Sequence, residues 1–402
     1  MNIYTQQAHQ YLFNTYTRYP ITLIKGKGAF VWDEENKKYL DFVSGIGCTP
    51  LGHAHPLVTQ AIMEQTHKLL HTSNLYYSPP SIELAAFLVT HGGLDKVFFC
   101  NSGAEAVETA IKLARKYQWR QGHKEKNIIL TANRSFHGRT LGALTATAKP
   151  TIHEGFGPLP SGFRYSDWND SDAFCAAIDE QTAAVLLEPI QGEGGIHVPP
   201  AGLLAAVRKK CDALGVLLIF DEIQCGVGRT GDLFAYLTVG VTPDIITLAK
   251  GIANGLPLGA VCAREQVANA MQPGDHGSTF GGNPVACNAA LANLTVIQEN
   301  YLPQVKKLST YLLQQLTGLQ KAYPEQIKAI RGAGLMLGIE VAQQPQQILQ
   351  HCLQAGLLIN VTADRVLRIL PPYIITSADI DFAIETIRSA FNMTKLTITE
   401  QS

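Results

Sequence analysis

The chain is poor in charge of either sign and in features that would tie it to a membrane or a nucleic acid. Charged residues make up 16% of its 402 residues, and the formal net charge is −1. Lysine and arginine are scattered, so there is no electrostatic footprint for a phosphate backbone or an anionic lipid surface. No apolar run approaches the length of a membrane span. The opening Met1-Asn2-Ile3-Tyr4-Thr5-Gln6 has neither the basic start nor the apolar segment of a signal peptide. The eight cysteines (48, 100, 175, 211, 225, 262, 287 and 352) include no C-x-x-C pair. Together these point to reduced, mostly buried thiols in a cytoplasmic protein. Repeats and low-complexity linkers are missing too. What remains is a chain that is 46% apolar, longer than one ordinary core requires, so two domains are expected.

Short apolar strands alternate with amphipathic helices at 97–100, 127–131, 184–188, 216–221, 244–249 and 258–263. That spacing predicts an α/β fold with a mostly parallel sheet covered on both faces. A long helical stretch over 285–322 comes after them, then a strand–helix–strand pattern around Gly334–Glu340, Gln346–Ala355 and Leu357–Val361. The expected division is a large domain over 57–295 and a small discontinuous one built from 1–56 and 296–402.

Two strands end on chemistry. Leu217-Leu218-Ile219-Phe220 delivers Asp221, followed by Glu222-Ile223-Gln224, and Ile245-Ile246-Thr247-Leu248-Ala249 delivers Lys250. Ligands of open α/β sheets sit at the carboxyl ends of strands. Desolvation there lowers a lysine's pKa and frees its amine as a nucleophile. These two residues suit a Schiff-base lysine with a carboxylate for a pyridine nitrogen, yet alone they equally suit a solvated lysine and a helix-capping aspartate.

The neighbours add to this. Val97-Phe98-Phe99-Cys100 leads into Asn101-Ser102-Gly103-Ala104-Glu105-Ala106-Val107-Glu108, which opens a helix with apolar residues at 106, 110, 113, 114 and 117. Ser102 and Glu105 fit a capping box. Gly103 allows a close backbone approach, and the helix N-terminus suits a phosphate. Ser135-Phe136-His137-Gly138-Arg139-Thr140 brings an aromatic face and a guanidinium together. Glu188-Pro189-Ile190-Gln191-Gly192-Glu193-Gly194-Gly195 sets two carboxylates beside a flexible turn. Gly277-Ser278-Thr279-Phe280-Gly281-Gly282-Asn283-Pro284 is a hydroxyl-bearing loop between glycines.

Two patterns are decoys. Gly226-Val227-Gly228-Arg229-Thr230-Gly231 satisfies G-x-G-x-x-G, but the next residues are Asp232-Leu233-Phe234-Ala235-Tyr236, and the region near 251 is Gly-Ile-Ala-Asn with no acidic residue. A dinucleotide fingerprint needs the glycines to open a helix and an acid about 20 positions on. His53-Ala54-His55, with Pro56 directly after it, has no matching ligand cluster and reads as a loop or helix start.

The stretches NSGAEAVE, FHGRT, EPIQGEGG, DEIQCGVGRTG, LAKGIANGLPLGA and GSTFGGNP occur in one order along nearly the whole chain. In that order they resemble the ornithine-type class III aminotransferases of pyridoxal-phosphate fold type I. Within that family the acetylornithine and succinylornithine aminotransferases look most similar. The resemblance implies a large domain with a seven-stranded sheet, a smaller α+β domain, pyridoxal 5'-phosphate as cofactor, and a homodimer with shared active sites.

It also implies roles. Lys250 holds the cofactor and moves the proton. Asp221 faces the ring nitrogen. Ile223 and Phe136 sandwich the ring, with Asp221 and Ile223 on one strand face. Gln224 bonds the ring hydroxyl. Ser102, Gly103 and Ala104 meet the phosphate, joined by Thr279 of the other subunit. Arg139 clamps a substrate carboxylate. Arg368 takes the α-carboxylate of glutamate or 2-oxoglutarate, and Glu193 neutralises it when the amine donor is bound. Where ornithine aminotransferases carry a tyrosine, this chain carries Ile46, which favours an acylated donor with Ser278 near its acyl group. The activity implied is transfer of the terminal amine of N2-acetyl-L-ornithine to 2-oxoglutarate, as in arginine biosynthesis. Succinylornithine, 4-aminobutyrate and free ornithine are the alternative donors.

Overall fold

A computed structural model describes residues 3–399. The chain enters through β1 (Leu23–Lys27), β2 (Phe30–Asp33) and β3 (Lys38–Asp41), an antiparallel set. The central sheet comes next: β4 (Lys96–Cys100), β5 (Ile128–Ala132), β6 (Phe163–Ser166), β7 (Thr182–Leu187), β8 (Leu217–Asp221), β9 (Ile245–Leu248) and β10 (Gly259–Ala263). Its order is β4-β10-β9-β8-β7-β5-β6. Only β10 runs against its neighbours. Every residue of β7, β8, β9 and β10 is buried, as expected of strands covered on both faces. The sequence pattern found these strands to within two residues at each end but missed β6. That edge strand carries Arg164 and a half-exposed Tyr165 rather than an apolar run.

The remaining strands are β11 (Ile327–Ala333), β12 (Met336–Val341), β13 (Leu357–Leu358), β14 (Asn360–Thr362) and β15 (Val366–Ile369). A second antiparallel sheet has the order β11-β12-β15-β14, while β13 joins β3 in parallel. The C-terminal part of the chain thus completes the sheet begun by the N-terminal part.

The helix Gly103–Arg120 covers the central sheet with Ala106, Val107, Ala110, Ile111, Leu113 and Ala114, positions three and four apart on one stripe. The expected continuous helix over 285–322 is interrupted. Pro284–Val296 passes through a π-helical turn at Ile297–Tyr301 into Leu302–Ala322. Pro303 explains the break. It has no N–H, and its ring collides with the carbonyl four residues back, so the backbone widens just before it.

The glycines of the dinucleotide-like motif lie in turns, with Gly228 at φ 85° and Gly231 at φ 107°. They open no helix. His53 Nε2 bonds Asp41 Oδ2 at 2.8 Å, and His55 is the residue before the helix Pro56–Lys68, with proline in its first turn.

Candidate active site

Five strands of the central sheet end at one cavity. The segments after β4, β5, β7 and β9 contribute Asn101, Phe136 with His137, Glu188, and Ala249 with Lys250, and β8 contributes its last residue, Asp221. This is the carboxyl edge of the parallel strands. The cavity holds about 380 Å³ and is also lined by Ser102, Gly103, Ala104, Arg139, Glu193, Ile223, Gln224 and Cys48.

Asp221 is 3% exposed and has fixed partners. Oδ2 lies 2.7 Å from His137 Nδ1, and Oδ1 accepts from Thr247 Oγ1 at 3.2 Å and from Ile223 N at 3.1 Å. The last contact corrects the expected strand alternation. β8 stops at Asp221 and the backbone folds back, so Ile223 reaches the cavity from a turn. His137 Nε2 is buried with no protein partner. Such an orphaned polar atom usually marks a missing ligand or water. Sequence reasoning passed over His137, although its place in the FHGRT stretch was the available signal.

Lys250 follows β9 in the left-handed region at φ 43°. A non-glycine residue there is strained by about 1–3 kcal/mol, and such strain concentrates at functional sites. The turn behind it is held from the helix Pro284–Val296, where Asn293 Nδ2 donates to the carbonyls of Gly251 at 2.9 Å and Ile252 at 3.0 Å. Burial pulls the Lys250 ammonium below its ordinary pKa and Arg368 adds to this, while Glu193 and Asp221 oppose it. Its amine is therefore easier to deprotonate than that of a surface lysine.

Arg368 on β15 is 1% exposed. Its Nη1 donates to Glu193 Oε1 and, at 3.2 Å, to Gln224 Oε1, while Nε reaches Asn360 Oδ1 at 3.2 Å. Gln224 Nε2 in turn donates to Glu193 Oε1 at 3.2 Å, so this amide bridges the pair. Burial pushes the Glu193 carboxyl up, but Arg368, Lys250 and the hydrogen bonds outweigh it and hold it below the usual range. Arg139 is exposed at the other side, its guanidinium 5.5 Å from the Phe136 ring centre.

Three carboxylates within the same motifs do structural work that the sequence did not reveal. Glu108 Oε1 accepts from Thr140 Oγ1 at 2.6 Å and Gly142 N at 2.8 Å, fixing the loop that carries Arg139. Glu188 accepts from Phe136 N and Gly192 N, both at 2.9 Å, joining the aromatic wall to the Glu193 loop. Glu222 accepts from Ala235 N at 2.6 Å and Tyr236 N at 2.7 Å. Burial pushes both Glu188 and Glu222 up to about 7. The capping box forms by half. Ser102 Oγ accepts from Glu105 N at 3.2 Å, whereas Glu105 bonds Asn101 N instead of Ser102 N.

Ser278 and Thr279 do not line this cavity. Ser278 Oγ accepts from Asn101 Nδ2 at 3.1 Å and Gly281 N at 3.0 Å, and Thr279 faces outward. Ile46 is also outside the lining. It is 40% exposed, at φ 64° in a left-handed turn over Ser44–Gly47. Cys225 is buried against the Asp221 carbonyl at 3.8 Å, and burial raises its thiol pKa, so it is an inert filler.

The donor set fits pyridoxal phosphate. A desolvated lysine, a buried carboxylate oriented by a histidine, and an aromatic and an aliphatic wall converge beside the N-terminus of an 18-residue helix. At Gly103 an added Cβ would lie 2.9 Å from Ile223 Cδ1, so a side chain there would push against the Ile223 wall beside the helix N-terminus.

The chain is similar to known proteins in sequence and in fold. A relative from Methanocaldococcus jannaschii named acetylornithine aminotransferase is 49% identical over 96% of this chain and 97% of its own. One of the same name from Aquifex aeolicus is 48% identical over 94% and 99%. Among solved structures, the ornithine aminotransferase of Toxoplasma gondii superposes with a TM-score of 0.92 at 35% identity, covering 99% of this chain and 96% of that one. The acetylornithine aminotransferase of Elizabethkingia anophelis gives 0.86 at 33% identity, covering 96% and 97%. The model of the class-III aminotransferases matches residues 11–391, and with the cavity's donor set in view the chain belongs to that family.

Proposed function

We propose that the protein transfers the terminal amine of N2-acetyl-L-ornithine to 2-oxoglutarate, giving N-acetyl-L-glutamate 5-semialdehyde and L-glutamate. The observation that carries this reading is the buried Arg368 paired with Glu193, whose side chain lines the same cavity as Arg139, while Arg368 itself lies just behind that lining. Two dissimilar substrates must use one site in turn. Arg139 clamps a carboxylate of either by paired hydrogen bonds. When the dicarboxylate is bound, Arg368 takes its α-carboxylate and Glu193 turns away. When the amine donor is bound, Glu193 keeps Arg368 from being an unpaired buried charge, which would be costly. The relatives named acetylornithine aminotransferase favour the acylated donor.

When bound, pyridoxal phosphate supplies an electron sink for the carbon that bears the transferred amine. Lys250 would hold the cofactor through Nζ, and its amine would carry the proton that moves between substrate and cofactor. Asp221, its orientation fixed by His137, would keep the ring nitrogen protonated. Ile223 and Phe136 would hold the ring between them, and Gln224 would bond its hydroxyl. The N-terminal backbone of the helix at Ser102, Gly103 and Ala104 would receive the phosphate.

The working unit is a homodimer in the cytoplasm, with residues 57–295 as the cofactor-binding domain and 1–56 with 296–402 as the smaller one. Leu75, Tyr76 and Tyr77 are 84%, 71% and 96% exposed beside Phe280, and Asn74 Nδ2 ties their segment to the Ser278 carbonyl at 3.1 Å. An apolar surface of this kind suits a second copy. It would bring Thr279 to the partner's phosphate, and Ser278 and Ile46 to the donor's acyl end.

The test is single-turnover absorbance of the cofactor-loaded enzyme without 2-oxoglutarate. Fast loss of its visible band with N-acetylornithine, and slow loss with ornithine and 4-aminobutyrate, is the expected result. Fast loss with free ornithine or 4-aminobutyrate overturns the assignment of the donor.

A further inference from the structure

Arg229 is 1% exposed, buried as deeply as Arg368, and takes no part in the function proposed above. Among the described residues no carboxylate pairs with it. Its Nη1 donates to the carbonyl of Pro371 and, at 3.2 Å, to that of Leu335, and its guanidinium carbon lies 4.6 Å from the centre of the Tyr373 ring. Nη2 has no partner. A buried cation that meets only carbonyls and a ring face stabilises a fold poorly, because leaving water costs it more than such contacts give back. An apolar side chain would fill this space at lower cost. What the guanidinium adds is geometry, a planar group of fixed shape that holds its partners in one relation.

Those contacts join the segment that carries Gln224 to the sheet that carries Arg368. Gln224 and Arg229 lie on one run of turns after β8. Leu335 directly precedes β12, and Pro371 follows β15, the strand of Arg368. The two strands pair with Gly338 opposite Arg368. The Arg229 side chain therefore reaches the same end of both. Other contacts strengthen the tie. Leu335 N donates to the Arg229 carbonyl at 2.9 Å, Tyr373 Oη donates to the Val227 carbonyl at 2.7 Å, and a Cβ on Gly334 would lie 2.2 Å from the Arg229 carbonyl oxygen. Across this junction Arg368 Nη1 meets Gln224 Oε1 at 3.2 Å.

We propose that Arg229 is a positioning residue for Arg368: it fixes the β12–β15 pair against the turn that carries Gln224, and so sets where the Arg368 guanidinium stands when a dicarboxylate arrives. The inference rests on the role given to Arg368 above. The two half-reactions ask different things of that guanidinium. With the amine donor bound, Arg368 needs only its Glu193 partner, which lies on a loop and can follow a small shift. With glutamate or 2-oxoglutarate bound, Arg139 holds the far carboxylate, so a displaced Arg368 loses part of a directional, charge-assisted contact.

The test uses the holoenzyme and two variants. Arg229→Lys keeps the charge but not the planar group, and Tyr373→Phe keeps the ring but not the bond to Val227. Each half-reaction is followed as a single turnover, and binding of 2-oxoglutarate is measured by calorimetry. In Arg229→Lys the glutamate concentration for half-maximal rate and the dissociation constant of 2-oxoglutarate should both rise about tenfold, the loss expected from one misaligned charge-assisted hydrogen bond. The limiting rate, and the half-reaction with whichever amine donor the parent uses, should change by less than about twofold. Tyr373→Phe should move the same two quantities in the same direction by about threefold, and it carries the test if Arg229→Lys does not fold. Equal losses in both half-reactions with a lower melting temperature would make Arg229 a support of the fold and overturn the inference, as would unchanged binding of glutamate and 2-oxoglutarate. If the parent does not react with glutamate, the functional reading falls and the inference with it.

Discussion

Asp221 and Glu193 are carboxylates of one cavity, and their surroundings could hardly differ more. Asp221 is 3% exposed at a strand end in the central sheet, held by His137, Thr247 and its own turn. Glu193 lies on a loop with its side chain 31% exposed, and its partners are an arginine on another sheet and an amide that bonds both. The first arrangement suits a group whose counterpart, the cofactor, stays. The second suits a group that must let go of its partner when a substrate carboxylate arrives. On the function proposed above, strand ends would serve the cofactor and loops the changing substrates.

Breaking the rigid end should cost most. Lys250→Ala is expected to lower transamination by more than about 10⁴-fold, with the melting temperature unchanged or raised because a desolvated amine is removed; turnover and thermal melting measured together check both. Asp221→Asn is expected to cost about 10²–10³-fold in kcat, since it removes a preorganised charge; steady-state kinetics on fully cofactor-loaded enzyme decides this. Gly103→Ala should weaken cofactor binding by about 1–3 kcal/mol through overpacking against Ile223, read from absorbance titration of the apoenzyme. A variant that binds as tightly as the parent would mean the close approach at this helix end is unimportant.

The smallest effect concerns Glu188. Its pKa in the folded protein, about 7, stands above the ordinary glutamate value of about 4.3. The folded state therefore holds the proton more tightly than the unfolded chain. Its contribution to stability is greatest at low pH and is lost as pH rises through the window between those two values. Glu188→Gln should flatten that part of the stability profile, and melting temperatures at intervals across it check the slope. Glu222 contributes with the same sign, so some slope persists in the single variant.

Much of the rigid end was legible in the sequence because its chemistry is local. An apolar run followed by Asp221, and another followed by Lys250, announce a strand and the group it delivers. The roles of Glu108 and Glu188 were not legible. Each depends on a loop from elsewhere in the chain arriving with its N–H groups aimed at one oxygen. His137 was hidden for the same reason, since its partner lies 84 residues away. The bridge by Gln224 needed the register of β15, which a distant strand pair sets. The break at Ile297–Tyr301 was readable in principle from Pro303 but was masked by strong helical periodicity on both sides.

The contrast between a fixed and an exchangeable carboxylate is tested most directly by Glu193→Gln in the two half-reactions, each followed as a single turnover. The amine-donor half should slow by about tenfold or more, because Arg368 is left as an unpaired buried charge. The half-reaction with glutamate should change by less than about twofold, since the substrate's own carboxylate then occupies Arg368. Equal losses in both halves would contradict the switch and make Glu193 a general structural support.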